Sequence, residues 1–165
     1  MMITIVPPYS LIAMPEDDAS CITEWRYPSP YHAYNWPAWD IVKKQEIEFG
    51  DTEIRSEQYR SIIDANGTLI GFVQLFAMQA TVRIALFLAL AYCGRGIGQQ
   101  AMQLVIREVN DNYDNYEIDL EVETWNERAI ASYLRSGFVI TDQYELPSRN
   151  DQTIRNVYCM VYQAQ

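Results

Sequence analysis

Residues 93–98 read Cys93-Gly94-Arg95-Gly96-Ile97-Gly98, between an apolar β-prone run and a stretch of helical spacing. Alternate glycines let the backbone turn tightly and expose its amide N–H groups, and a helix beginning there adds the positive end of its dipole. Such a loop suits an anion of the pyrophosphate kind. A plain tight turn between strand and helix explains the same glycines, so the loop alone leaves both readings open. A dinucleotide-type Gly-x-Gly-x-x-Gly fingerprint fails, because position 99 is Gln. Further on, Asp119, Glu121 and Glu123 alternate with apolar residues, and Asn126 and Tyr133 follow. Read from the residues alone, the three acids suit a solvated strand face, and Tyr133 a core position on the inner face of its helix beside Ala129, Ile130 and Leu134. Cys21, Cys93 and Cys159 form no closely spaced pair, and His32 is the single histidine. No metal-ligand cluster follows from these residues.

These side chains need elements to hold them. Residues 3–6 read as a short strand start before Pro7-Pro8, with helical or irregular chain after Met14. Residues 25–39 are dense in aromatics and prolines and read as loops and a short helix, with Pro37 opening the next helix. Residues 59–63 and 69–78 read as strands joined by a two-residue Asn66-Gly67 turn. The nearly continuous apolar end of residues 81–90 predicts a strand covered on both faces. Ile97, Ala101, Leu104, Val105 and Val109 then recur at helical spacing. Residues 116–123 alternate as a strand does. The next helix opens either on a Thr124-x-x-Glu127 capping box or on Asn126 as its cap, and Gly137 ends it. Residues 139–144 and 154–162 form a last antiparallel pair. The order predicts a mixed α/β fold on one sheet, as a single domain over residues 1–165.

Taken together, the glycine loop and the stretch Trp125-Asn126-Glu127-Arg128-Ala129-Ile130-Ala131-Ser132-Tyr133-Leu134-Arg135-Ser136-Gly137-Phe138 resemble the GCN5-related N-acetyltransferase (GNAT) family. The first matches that family's (Arg/Gln)-x-x-Gly-x-(Gly/Ala) motif and the second its Asn-x-x-Ala-x-x-x-Tyr…Gly-Phe motif. The likeness covers roughly residues 57–140 well and the N-terminal third poorly. It implies a central, mostly antiparallel twisted sheet flanked by helices, and acetyl-coenzyme A (acetyl-CoA) as acyl donor to an amine. Carried over residue by residue, it implies that Cys93, Gly94, Arg95, Gly96, Ile97 and Gly98 cradle the pyrophosphate. Leu88, Ala89 and Leu90 would pair with the pantetheine arm by strand addition, and an amide near Leu88 would serve the oxyanion. Asn126 would contact the arm, and Tyr133 would protonate the leaving thiolate. Leu120-Glu121-Val122 is similar to the ribosomal-protein N-terminal acetyltransferases, and Glu121, twelve residues before Tyr133, is the expected base, acting directly or through a water. Two positions depart from the family pattern: Cys93 stands where Arg or Gln is usual, and Leu90 where proline is frequent.

In this family the region holding Trp25, Tyr27, Tyr31, Tyr34, Trp36 and Trp39 lines the acceptor cleft. Trp25, Tyr31 and Tyr34 are the expected acceptor contacts, through ring faces on a cationic amine; packing of the first helices onto the sheet is the competing account. Composition agrees with an amine acceptor. The chain carries 22 Asp+Glu against 12 Lys+Arg, a formal net charge of −10, which disfavours a polyanion such as nucleic acid. The same charge would attract a polyamine, basic peptide or aminoglycoside-like compound, or serve solubility alone. Sparse cysteines, no basic segment before the N-terminal apolar residues and no apolar run of membrane-spanning length predict a soluble cytoplasmic protein without membrane association. The acceptor, the length of the acyl group and a homodimer stay open. A non-catalytic module that binds acetyl-CoA or another acyl-CoA is the alternative to an enzyme.

Overall fold

The computed structural model describes residues 8–148 and 152–164; the strand start expected at residues 3–6 lies outside the described residues. The first strand described is β1 (Tyr9–Ala13), followed by α1 (Glu16–Thr23), α2 (Trp39–Lys44) and α3 (Thr52–Gln58). Pro37 stands two residues ahead of α2 rather than inside its first turn. The third helix has no apolar periodicity to announce it. Its start is fixed by Asp51, whose carboxylate accepts from the Ile54 N–H at 2.9 Å and satisfies one orphan donor of the first turn.

Strands β2 (Tyr59–Asp64) and β3 (Leu69–Met78) form the expected hairpin. Its turn is one residue longer than Asn66-Gly67 predicts. The Asp64 N–H donates to the Thr68 carbonyl at 3.0 Å, and the Asp64 carboxylate accepts from the Asn66 and Thr68 amides. Ala65, Asn66 and Gly67 therefore make the loop, with Gly67 in the left-handed region at φ +81°. This is a type I turn closed by a glycine bulge. Asp64 selects it, because its carboxylate can bond amides two and four residues ahead.

Strand β4 (Thr81–Leu88) is two residues shorter than its apolar run, since Leu90–Tyr92 forms a 3₁₀ turn. The glycine loop leads into α4 (Ile97–Asn112), which returns the chain to β5 (Glu117–Glu123) parallel to β4. This strand–helix–strand crossover is the connection a parallel pair requires. The β4–β5 ladder covers Thr81↔Glu117, Val82↔Ile118 and Arg83↔Asp119. Helix α5 (Glu127–Arg135) is capped by Asn126, whose side chain accepts from the Ala129 N–H at 3.3 Å. Of the two starts read from sequence, the asparagine cap is the one formed. The final strands β6 (Phe138–Pro147) and β7 (Ile154–Tyr162) pair antiparallel, and β7 also pairs with β5. The seven strands run in the order β1-β2-β3-β4-β5-β7-β6, antiparallel except at β4–β5.

Two compact units divide the chain. The first takes residues up to 74 with 86–101. Its larger core joins Ala19, Ile22, Val42, Phe49, Tyr59 and Phe72, and a second cluster joins Ile62, Ile70, Ile97 and Ala101. The second unit takes residues 75–85 and 102–165, where Val82, Val105, Val109, Leu120, Val157 and Met160 are almost wholly buried.

Candidate active site

In the first unit one of the loop's three glycines, Gly98, lies in the first turn of α4; the other two, Gly94 and Gly96, take φ +72° and +76°, a region that a side chain makes costly. A Cβ built at either position would meet no atom within 4 Å. Gly94, Arg95 and Gly96 are exposed and run into the 16-residue helix α4, whose first amides have no partners within the helix. This is an open backbone cradle with a helix dipole behind it, and its chemistry fits a pyrophosphate. Arg95 folds back, with Nη1 donating to the Ala91 carbonyl at 3.3 Å and its guanidinium 5.8 Å from the Tyr92 ring centroid. Cys93 turns inward. Its thiol lies 3.6 Å from the Ala89 carbonyl and 3.7 Å from that of Leu88, as a weak donor to the strand end.

Strand β4 approaches β3 closely in this unit. A Cβ on Gly71 would lie 2.5 Å from the Phe87 carbonyl oxygen, so the two backbones meet only because Gly71 has none. Of the expected acceptor contacts, Trp25 packs against the larger core with its ring 6.1 Å from Phe72, and Tyr34 stands edge-on to Phe87 at 5.6 Å. Trp36 lies 4.4 Å from Phe49, so Trp25, Trp36 and Trp39 do pack the first helices onto the sheet. A narrow crevice persists among Ile22, Trp25, Tyr27, Tyr34, Trp36, Phe72 and Phe87. Tyr31 opens the 3₁₀ turn Tyr31–Tyr34 and is not part of that lining. Sequence reasoning missed the phenol of Tyr27, which donates to the Leu88 carbonyl at 2.6 Å. No local pattern announces a bond across 61 residues.

In the second unit the acidic row of β5 is not a solvated face. Asp119 and Glu123 are 6% and 8% exposed, which is affordable only because cations meet them. Arg83 on β4 donates from Nε and Nη2 to Asp119 at 3.0 and 2.7 Å, and its Nη1 lies 3.1 Å from Glu121 Oε1. Hydrogen bonding to Asp119 holds the Arg83 guanidinium even more firmly protonated than usual. Arg155 on β7 closes on Glu123 Oε1, with Nε at 3.0 Å. The other Glu121 oxygen accepts from the Tyr144 hydroxyl on β6 at 2.5 Å. Burial first and this bond second push the Tyr144 phenol up. Cys159 on β7 sits 3.7 Å from Asp119, and burial followed by that carboxylate raises its thiol. Both oxygens of the expected base are thus engaged, each by one donor.

Asn126 is buried at the start of α5, and its N–H donates to the Glu123 carbonyl at 3.0 Å. Tyr133 is half-buried with its ring edge-on to Phe138, centroids 6.2 Å apart. Burial, with the charge of Glu123 second, pushes its phenol up to about 12, so it carries its proton at neutral pH. Leu134, its neighbour in the core account, is 50% exposed. Among the described residues there is no group of three or more metal-ligating side chains, and no helix is long and apolar enough to cross a membrane.

A sequence model described as the acetyltransferase (GNAT) family matches residues 19–138. No curated protein matches the chain by sequence. Among solved structures, a GNAT-family acetyltransferase from Bacillus anthracis is similar, with a TM-score of 0.75, 12% identity and 93% of each chain covered. AAC(6′)-Ib in complex with paromomycin and acetyl-CoA is similar with a TM-score of 0.73 at 19% identity, covering 94% of this chain and 93% of that one. Spermidine N-acetyltransferase from Vibrio cholerae, in complex with CoA and spermine, is similar with a TM-score of 0.69 at 17% identity, covering 93% and 94%. At these identities the likeness is one of fold.

Proposed function

The chain belongs to the acetyltransferase (GNAT) family, with acetyl-CoA as co-substrate, and from that premise we propose that it acetylates an amine directly. The observation that carries the reading is the exposed loop Gly94-Arg95-Gly96, with positive φ at both glycines, opening onto the N-terminus of α4. Its amides hold the pyrophosphate in this reading, and the strand-end backbone at Leu88, Ala89 and Leu90 holds the pantetheine arm. Acetyl-CoA supplies an activated acetyl thioester. The chain's own groups orient that thioester, polarise its carbonyl through an amide near Leu88 and move the protons. Tyr133 gives its phenolic proton to the thiolate as the C–S bond breaks and the C–N bond forms; burial keeps the phenol protonated until that step. Glu121 takes the amine's proton through a water. One of its oxygens accepts from Tyr144 and the other pairs with the Arg83 guanidinium at 3.1 Å, which leaves a lone pair for that water.

The acceptor in this reading is a small amine or a peptide amine, drawn by the acidic chain and met by the rings of Trp25 and Tyr34. Tyr31 completes the acceptor contacts from its neighbouring turn. Similarity of fold to enzymes whose names or bound ligands are spermidine, spermine and paromomycin supports an amine without choosing one. Three free thiols agree with a reducing cytoplasm. The second reading, a non-catalytic acyl-CoA-binding module, is favoured by the two cross-strand groups on Glu121, which already hold the oxygens that an amine or a water would have to approach.

A calorimetric titration with acetyl-CoA, followed by thiol release against a panel of amines, tests both readings. The enzyme reading expects saturable binding, turnover with at least one amine, and a loss of roughly a hundredfold in kcat for Tyr133→Phe and for Glu121→Gln with binding kept. Binding with no turnover on any amine selects the module. Absence of binding at millimolar acetyl-CoA sinks both.

A further inference from the structure

The peptide between Leu88 and Ala89, at the end of β4, is held from two sides. The Ala89 N–H donates to the Ile70 carbonyl on β3 at 2.9 Å. A trans peptide points its C=O the opposite way, so the Leu88 carbonyl faces away from β3, where another strand would ordinarily take it. The Tyr27 hydroxyl takes it instead, at 2.6 Å, with the Cys93 thiol 3.7 Å from the same oxygen. Tyr27 is itself anchored. Its N–H donates to the Asn35 side-chain carbonyl at 2.8 Å, and its ring lines the crevice with Tyr34, Phe72 and Phe87. Burial raises its phenol, which keeps the O–H a donor through the working pH range.

We propose that Tyr27 is a positioning residue for acetyl transfer. Its hydroxyl fixes the Leu88–Ala89 peptide and with it Leu88, whose own N–H points to the same strand edge as its carbonyl and so meets the donor thioester in a single orientation. The inference rests on the reading above, in which that backbone polarises the thioester carbonyl. Donors fixed in advance need no reorganisation as charge develops on the oxygen. Without the phenol, the peptide keeps its bond to Ile70 but loses its opposing strong tether, and a thiol is a poor substitute.

Tyr27→Phe removes the oxygen and leaves the ring in the crevice. The probes are CoA and acetyl-CoA labelled with ¹³C at the thioester carbonyl, read by calorimetry and isotope-edited infrared spectroscopy. Wild-type protein is expected to bind both and to move the carbonyl stretch to lower frequency. Tyr27→Phe is expected to bind CoA within about twofold of wild type, to lose most of that band shift, and to show roughly five- to tenfold lower kcat at unchanged amine KM, the scale of one neutral hydrogen bond. A variant with the wild-type band and kcat overturns the proposal and leaves the coenzyme reading intact. Equal weakening of CoA and acetyl-CoA binding with a lowered Tm makes Tyr27 merely structural, which also overturns it. Wild-type protein that binds no acetyl-CoA overturns the coenzyme reading, and this one with it. Should Tyr27→Phe not fold, 3-fluorotyrosine at position 27, a stronger donor in the same shape, is expected to deepen the band shift, and an unchanged band refutes the role.

Discussion

Arg83→Met tests whether the acidic row of β5 depends on one guanidinium. Arg83 makes two bonds to Asp119 at 3.0 and 2.7 Å and reaches Glu121 at 3.1 Å. The side chains of Asp119 and Glu121 are only 8% and 20% exposed. Methionine keeps the apolar stem and deletes the charge, leaving two neighbouring carboxylates on one face of a strand without their shared cation. Breaking a buried pair costs roughly 3–5 kcal/mol. Because Arg83 itself is 30% exposed, water replaces part of what it supplied, and we expect a loss of about 2–4 kcal/mol. Urea melts at neutral pH and constant ionic strength are the assay, since guanidinium chloride would screen the charges in question. Asp119→Asn in the same background should recover at least about 1 kcal/mol, because the double variant buries one fewer unpaired charge. A loss below about 1 kcal/mol for Arg83→Met, or strictly additive losses in the pair, would refute the account.

Gly71→Ala places a Cβ 2.5 Å from the Phe87 carbonyl oxygen and 2.8 Å from Leu88 Cδ2. Backbone must move, so we expect about 2–3 kcal/mol of destabilisation in urea melts and weaker acetyl-CoA binding by calorimetry; an unchanged midpoint and affinity would contradict the close approach. Tyr133, whose phenol is raised from 10.0 to about 12 by folding, holds its proton more tightly in the folded chain. Its contribution is therefore complete below about pH 10 and is lost as pH rises through about 12, by up to roughly 2–3 kcal/mol. Stability measured from about pH 8 to 11 should fall less steeply in Tyr133→Phe than in wild type, the raised thiol of Cys159 and the raised phenols of Tyr27 and Tyr144 contributing to the slope that remains; identical slopes would show that Tyr133 is not the raised phenol described.

Much of the site could be read locally. Glycine at 94 and 96 is needed because the loop enters positive φ there, and that demand is visible in the residue type itself. Asn126 as a cap and Tyr133 seven residues on are likewise matters of helical spacing. The short strand β1 and helix α3 were not legible: β1 is a five-residue strand after two prolines, and α3 rests on one aspartate cap rather than on an apolar stripe. Nor was the length of the Asp64–Thr68 turn, which a side chain decides by bonding two amides ahead of it.

The alternation of β5 settled that Asp119, Glu121 and Glu123 share a face, because successive side chains in a strand point to opposite sides. Whether that face met water, however, depended on which strands came to lie beside it. The parallel register of β4 brings Arg83 opposite Asp119, and the insertion of β7 between β5 and β6 brings Arg155, Cys159 and Tyr144 into reach. Tyr27 and Leu88, 61 residues apart, are in the same position. The glycine loop, the caps and the periodicity were legible along the chain, since they follow from the conformations open to each residue and its near neighbours. The partners of Glu121 and of the Leu88 carbonyl were not, because a hydrogen bond depends on distance in space and folding alone brings groups so far apart in the chain together.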